Sequence, residues 1–278
     1  MVTTNLIGGL GNNLFQIANL LNVSHNLNVD YSIPNNVNRG QHGVYNSQKL
    51  EIEDLFCTDL INVGTVNDGQ MLTYNHHDLD INNGFHYSKV KETNNTIYNG
   101  YFQSEKYFKD IDINNYLVVK PNITEKMLTK YNIPKNNKTL SIHCRFGGDR
   151  NPNTTFGKGV QHFHKNVSKN FYENAYNIVV SNHDVDDIIV VSDLPELANE
   201  MMSLITPNFK IINEDTINSF VLLSSTTYSI IGNSTFSWWS SYLNKNNRLT
   251  ICPKTEWFGP GYGNVNLDDL FPDKWICL

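Results

Sequence analysis

Apolar positions along this chain fall into two kinds of run, and the two alternate. Short continuous runs read as buried strands, and apolar residues three and four apart read as helix faces. Val2 to Ile7 is a strand that breaks at Gly8-Gly9-Leu10-Gly11-Asn12-Asn13; Leu14 to Val23 follows as a helix with Leu14, Ile17, Ala18 and Leu21 on one face. Val29 to Ile33 reads as the next strand. From Asn35 to Asn95 the pattern is broken, with short apolar pieces at Leu50 to Leu60 and Met71 to Tyr74. Ile97 to Tyr101 is a strand, Gln103 to Phe108 opens like a helix, and Asn122 to Tyr131 is helical. That helix ends at Ile133-Pro134, and the polar Lys135 to Lys138 marks a domain boundary.

The second half is more regular. Thr139 to Ile142 is a strand, followed by a polar surface loop from Arg150 to Asn166. Helices are predicted over Lys169 to Ser181, Leu194 to Ile205, Ser219 to Ser225 and Phe236 to Leu243. Strands are predicted over Asp187 to Val191, Phe209 to Ile212, Tyr228 to Ile231 and Arg248 to Cys252. This alternation implies an α/β protein of two Rossmann-like, doubly wound domains, residues 1–134 and 135–278, facing each other across a cleft.

Composition narrows the class. The 278 residues can bury a sizeable core, and 40% hydrophobic with 17% charged residues is the balance of a globular protein. A net charge of -6 and the lack of any basic run argue against nucleic acid as a partner. No apolar stretch reaches bilayer length, so no integral membrane segment is expected, and with no targeting segment a cytoplasmic location follows. The cysteines, Cys57, Cys144, Cys252 and Cys277, lie far apart and match no metal spacing, so reduced buried thiols are expected. Asn is abundant, about one residue in seven. Triplets such as those at Asn94, Asn122, Asn137 and Asn153 read as compositional drift at turns rather than as glycosylation sites.

Three strand ends in the second half deliver polar groups to one edge of a parallel sheet, where ligands of open α/β sheets bind. The first carries His143 and Arg145 beside Gly147-Gly148. An Arg there suits a phosphate, because its guanidinium is a permanently charged fork of donors. Pairing of Arg145 with a structural carboxylate is the alternative. The second carries Ser192 and Asp193; Asp193 either accepts from a ribose hydroxyl or base N–H, or caps a helix. The third, Asn233-Ser234-Thr235-Phe236-Ser237, opens a helix whose first N–H groups and hydroxyls can hold an oxyanion. Trp238-Trp239 behind it could stack a ring, but core packing of at least one is the simpler reading. In the first half, Gly9-x-Gly11 with Asp30 is part of a dinucleotide fingerprint. Leu14 stands where the third glycine belongs, which weakens an oxidoreductase reading.

These residues together resemble the α-1,2-fucosyltransferases. Gly8-Gly9-Leu10-Gly11-Asn12-Asn13-Leu14-Phe15-Gln16 resembles their amino-terminal signature, and Gly100-Tyr101-Phe102-Gln103-Ser104-Glu105-Lys106-Tyr107-Phe108 a mid-chain motif. His143-x-Arg145 is similar to the start of their His-x-Arg-Arg-Gly-Asp motif, and Ser192-Asp193 to Ser-Asp-Asp. Asn233-Ser234-Thr235-Phe236-Ser237-Trp238-Trp239 matches a block close to diagnostic. Pro253-Lys254, Trp257 and Pro272 to Ile276 resemble the family's carboxyl end. The resemblance implies a GT-B fold, a GDP-fucose donor held mainly by the second domain, and transfer with inversion to a glycan acceptor, without cofactor or metal. It also implies that Gly9, Gly11 and Asn12 line the cleft from the first domain, and that His143 orients or touches the phosphates.

The chain departs from the family pattern at four places. Phe146 replaces the second Arg, Gly147-Gly148-Asp149 shifts the acid by one residue, Asn13 replaces Gln, and Leu194 replaces the second Asp. Inversion wants a base near the acceptor hydroxyl; Asp149 is the candidate and Glu105 the fallback. Two readings follow. One is an inverting fucosyltransferase acting on the 2-hydroxyl of a galactose-like sugar. The other is a GDP-sugar- or glycan-binding protein on the same scaffold that has lost turnover. Oligomeric state is unreadable.

Overall fold

The computed structural model describes the chain apart from residues 35, 38–47, 50, 58–61, 65–70, 77–86, 135–137, 147–158 and 264. Two compact units emerge: Met1–Val119 with Asn264–Asp273, and Lys120–Gly263 with Lys274–Leu278.

In the first unit, β1 (Val2–Thr4) leads through α1 (Leu10–Leu27) to β2 (Tyr31–Pro34). The short strands β3 (Asn36–Val37) and β4 (Gln48–Lys49) pair antiparallel, and α2 (Ile52–Leu55), β5 (Val63–Gly64), β6 (Leu72–Asn75) and β7 (Thr96–Asn99) follow. The main sheet is parallel throughout, in the order β5-β2-β1-β7-β6. Helix α1 starts one turn earlier than its periodicity implies, because Gly9 in extended conformation acts as N-cap and Leu10 and Gly11 are already helical. Its residues from Asn13 to Ser24 are all buried. Part of its polar face has polar partners, while the Asn19 side chain is buried without one among the described residues. Gln16 donates to the Gly100 carbonyl (3.1 Å), and Asn22 and Asn26 donate to the Asp110 carboxylate (3.2 and 3.0 Å). The expected helix at 103–108 is a 3-10 turn, Glu105–Phe108, capped by Ser104.

Asn has a backbone use beyond drift. Asn28, Asn95 and Asn132 take left-handed φ values of 51°, 57° and 54°, a region that Asn tolerates better than other side-chain-bearing residues. Asn28 thereby closes α1, its N–H bonding to the His25 and Ser24 carbonyls.

The second unit opens with α3 (Pro121–Lys130), then β8 (Thr139–Cys144), α4 (Lys169–Asn182), β9 (Asp187–Ser192), α5 (Pro195–Ser203) and β10 (Lys210–Ile212). It continues through α6 (Thr216–Leu223), β11 (Tyr228–Ile230), α7 (Thr235–Tyr242), β12 (Leu249–Cys252) and β13 (Ile276–Cys277). All six strands are parallel, in the order β10-β9-β8-β11-β12-β13. Every residue of β8 is buried, as a central parallel strand covered on both faces requires. Leu140, Ile142 and Cys144 join Ile188, Val190, Ala175 and Met202 in the core, where burial pushes the Cys144 thiol up to about 12.

The second compact unit includes α3, and Glu214 links that helix to the rest of the unit. Glu214 accepts from Lys130 Nζ (2.5 Å) and the Tyr131 hydroxyl (2.6 Å), and α3 packs on α6. Residues 264–273 also return to the first unit, where Asp269 accepts from the Tyr87 N–H at 2.7 Å and pairs with Lys106. Among the described residues no helix is long and apolar enough to cross a membrane.

Candidate active site

The second-unit sheet runs outward from β8 through β9 to β10 on one side and from β11 to β13 on the other, so the strand order reverses between β8 and β11 while every strand stays parallel. The crevice beyond the carboxyl ends of strands at such a switch point is where open α/β sheets bind ligands. There stand His143, Arg145 and the turn from Gly232 to Ser237.

Strand β8 extends two residues past its predicted end, so His143 is a strand residue, only 4% exposed, and pairs with Val191. Its carbonyl accepts from the Tyr172 hydroxyl at 3.1 Å, and its ring centroid lies 5.6 Å from that of Phe236. Gly232 permits this approach. A Cβ there would sit 2.8 Å from the His143 carbonyl oxygen and 3.2 Å from the Tyr172 hydroxyl. Neither Gly232 nor Tyr172 was marked by the sequence pattern as part of the site. The glycine right after an apolar strand is the signal that could have found the first; nothing points to the second.

Arg145 forms an ion pair with Asp193, and the other carboxylate oxygen of Asp193 accepts from the Phe146 N–H at 2.9 Å. Asp193 therefore neither caps a helix nor stands apart from the Arg; it ties the end of β9 to the segment after β8. Helix α5 has Leu194 as N-cap with Pro195 in its first turn, and the Ser192 hydroxyl accepts from the Leu194 N–H at 3.1 Å. Phe146, at the family's second Arg position, is 8% exposed and packs in the core. Asp149 lies outside the described residues.

The third strand end divides by role. The buried Asn233 amide donates to the carbonyls of Lys165 (2.7 Å) and Trp257 (3.0 Å), so it holds together three separate stretches of chain. Ser237 is fully buried and donates to the Ser234 carbonyl at 3.1 Å. Both side chains secure the turn. Ser234 is the N-cap of α7 with no cap bond from its side chain, and Ser234, Thr235 and Phe236 are partly exposed. Trp238 and Trp239 are both fully buried, their rings in edge contact at 5.1 Å.

The first-unit turn is built differently. Gly8 has φ 89°, and a Cβ on it would come 2.5 Å from Asn12 Nδ2. Gln16 accepts from the Ile7 N–H at 3.1 Å, and Gln103 donates to Asn12 Oδ1 at 3.0 Å, joining the two family-like motifs of this unit. Gly9 is exposed and Gly11 buried. Asp30 precedes β2, and its carbonyl accepts from the Val2 N–H, so it lies at the amino edge of the sheet. A ribose-binding acid belongs at the carboxyl edge, which removes the dinucleotide reading. His76, in the stretch without readable pattern, stacks on Phe102 at 5.0 Å and sits 2.7 Å from the Tyr107 hydroxyl.

Among the described residues no group of three His, Cys, Asp or Glu is placed to hold a metal ion. Two units, each an open parallel sheet, with polar groups collected at a switch point give an α/β protein of GT-B type. The chain belongs to glycosyl transferase family 11, whose model matches residues 1–277. The α-1,2-colitosyltransferase of Escherichia coli is 25% identical over 100% of this chain and 99% of its own length. The O-antigen biosynthesis glycosyltransferase WbnK of Escherichia coli is 32% identical over 151 residues, 52% of this chain and 46% of that relative, so under half of it is spanned. In fold the chain is similar to POFUT1 in complex with GDP-fucose, with a TM-score of 0.58 at 13% identity over 90% and 96% of the two chains. The fucosyltransferase NodZ from Bradyrhizobium gives 0.52 at 12% identity over 87% and 92%.

Proposed function

We propose that this protein moves fucose from GDP-fucose to a glycan hydroxyl, forming an α-1,2 linkage on a galactose-like sugar with inversion and without a divalent ion. The observation that carries this is that β8, which leads into Arg145, and β11, which leads into the amino-terminal turn of α7, are neighbours flanking the switch point. As the bond from the fucosyl C1 to the β-phosphate breaks, charge develops on the departing GDP. In this reading the guanidinium and the dipole of α7 at Ser234-Thr235 stabilise that charge. Asp193 positions the guanidinium through its ion pair. His143, held by Gly232 and Phe236, orients the group. The acceptor hydroxyl attacks C1 from the opposite face and passes its proton to a base, for which Asp149 is the proposed group.

Family membership and GDP-fucose in the POFUT1 complex support the donor. The full-length likeness to a colitosyltransferase supports the α-1,2 linkage and sets a competitor for the sugar, since colitose is fucose without its 3-hydroxyl. Thermal stabilisation by GDP, UDP, GDP-fucose, GDP-mannose, GDP-colitose and NAD, each with and without EDTA, tests the reading. Shifts with GDP and GDP-fucose that ignore EDTA are expected; a response to UDP or NAD alone removes the proposal. The burial of Phe146 favours one second reading, a donor-binding protein without turnover. That reading predicts the same shifts with no transfer to any acceptor offered.

A further inference from the structure

Two of the four cysteines, 25 residues apart in sequence, meet in the fold. Cys252 ends β12 and Cys277 ends β13, and the two are direct register partners on adjacent parallel strands. Their sulfurs lie 3.1 Å apart, both as free thiols; Cys252 is buried and Cys277 exposed. Beyond this pair, β13 is a two-residue edge strand. Around its end, the Leu278 N–H donates to the Cys252 carbonyl (3.0 Å), and the Thr255 N–H donates to the Leu278 carbonyl (3.0 Å).

From this juxtaposition we propose that Cys252 and Cys277 form a redox-closing dithiol, a modification site at which a low-molecular-weight disulfide locks β13 covalently to β12. The two thiols are divided for the chemistry. The hydrogen bond from Cys252, helped by the nearby charge of Lys254, holds the exposed Cys277 below the usual thiol value, favouring the attacking thiolate. Burial and the same contact push Cys252 up, so it stays protonated until a partner arrives. The Cys277 thiolate attacks one sulfur of the small disulfide, expelling one thiolate and leaving a mixed disulfide. Cys252 then attacks the Cys277 sulfur, and its proton passes to the second departing thiolate. Two protein thiols and one small disulfide become one protein disulfide and two small thiols.

The lock has a structural consequence. The covalent ring from Cys252 to Cys277 contains the whole of residues 264–273, the segment that returns to the first unit and is held there by Asp269. Closing the ring restricts the unfolded chain over that loop, so it should raise the unfolding temperature.

The test uses the full chain treated with oxidised glutathione, alkylated after unfolding, and read by intact mass and peptide mapping. The expected result is loss of two alkylation sites, a Cys252–Cys277 linked peptide, and alkylated Cys57 and Cys144. The unfolding temperature should rise by several degrees and return on reduction with dithiothreitol. Cys252→Ser should stop at the glutathione adduct on Cys277. Wild-type protein that also stops at that adduct, or that keeps four alkylatable thiols, overturns the proposal.

Discussion

Each unit carries a glycine-bearing turn at its own switch point, and the two turns use the same topology for different chemistry. In the first, Asn12, Gln16 and Gln103 are neutral amides bonded mostly to one another and to nearby backbone. In the second, Asn233 and Ser237 do the holding from within the core. That leaves Arg145, paired with Asp193, and the partly exposed start of α7 at the edge. Parallel-sheet geometry explains why both turns exist. Only the residue types separate a turn of neutral amides from one beside a charged pair.

Replacing the charge should break this comparison hardest. Arg145→Ala is expected to lower turnover by about 10²–10³ with circular dichroism unchanged; near-wild-type transfer would leave the second turn with no special role. Next come the glycines. Gly232→Ala forces a methyl against the His143 carbonyl, and overpacking of this kind costs roughly 1–3 kcal/mol, measurable by urea unfolding together with loss of the GDP-induced thermal shift. Gly8→Ala places a side chain at φ 89°, and should cost about 1–2 kcal/mol while the GDP shift survives. If both variants lose that shift equally, the division of roles between the turns fails.

Asn233→Ala leaves two backbone carbonyls without their donor, and should cost about 1–3 kcal/mol in the same unfolding assay, although its side chain touches no ligand in the proposed mechanism. The smallest effect concerns Asp110. Hydrogen bonds from Asn26 and Asn22 hold its carboxyl below the ordinary Asp value. A depressed folded pKa stabilises above the unfolded value and is lost as pH falls through the folded one. Stability should therefore decline as pH drops below about 4, and Asp110→Asn should flatten that decline slightly.

Periodicity foretold most elements in the second half, because a parallel sheet buried on both faces forces continuous apolar runs such as Ile188 to Val191. It failed between Asn35 and Asn95, where strands β3 to β6 are two to four residues long, too short for a pattern to register. It also placed Asp30 well by spacing and wrongly by edge, since distance along a chain does not say on which side of a strand a residue falls.

The sequence by itself determined the order and type of the main elements, the collection of polar residues at strand ends, and the family those residues belong to. Each follows from local spacing and residue chemistry. The tertiary structure alone decided that Asp193 meets Arg145, that Asn233 turns inward, that 264–273 rejoins the first unit, and that Cys252 touches Cys277. These are contacts between residues distant in the chain, set by strand register and by which buried polar group finds a partner, and no local pattern encodes either.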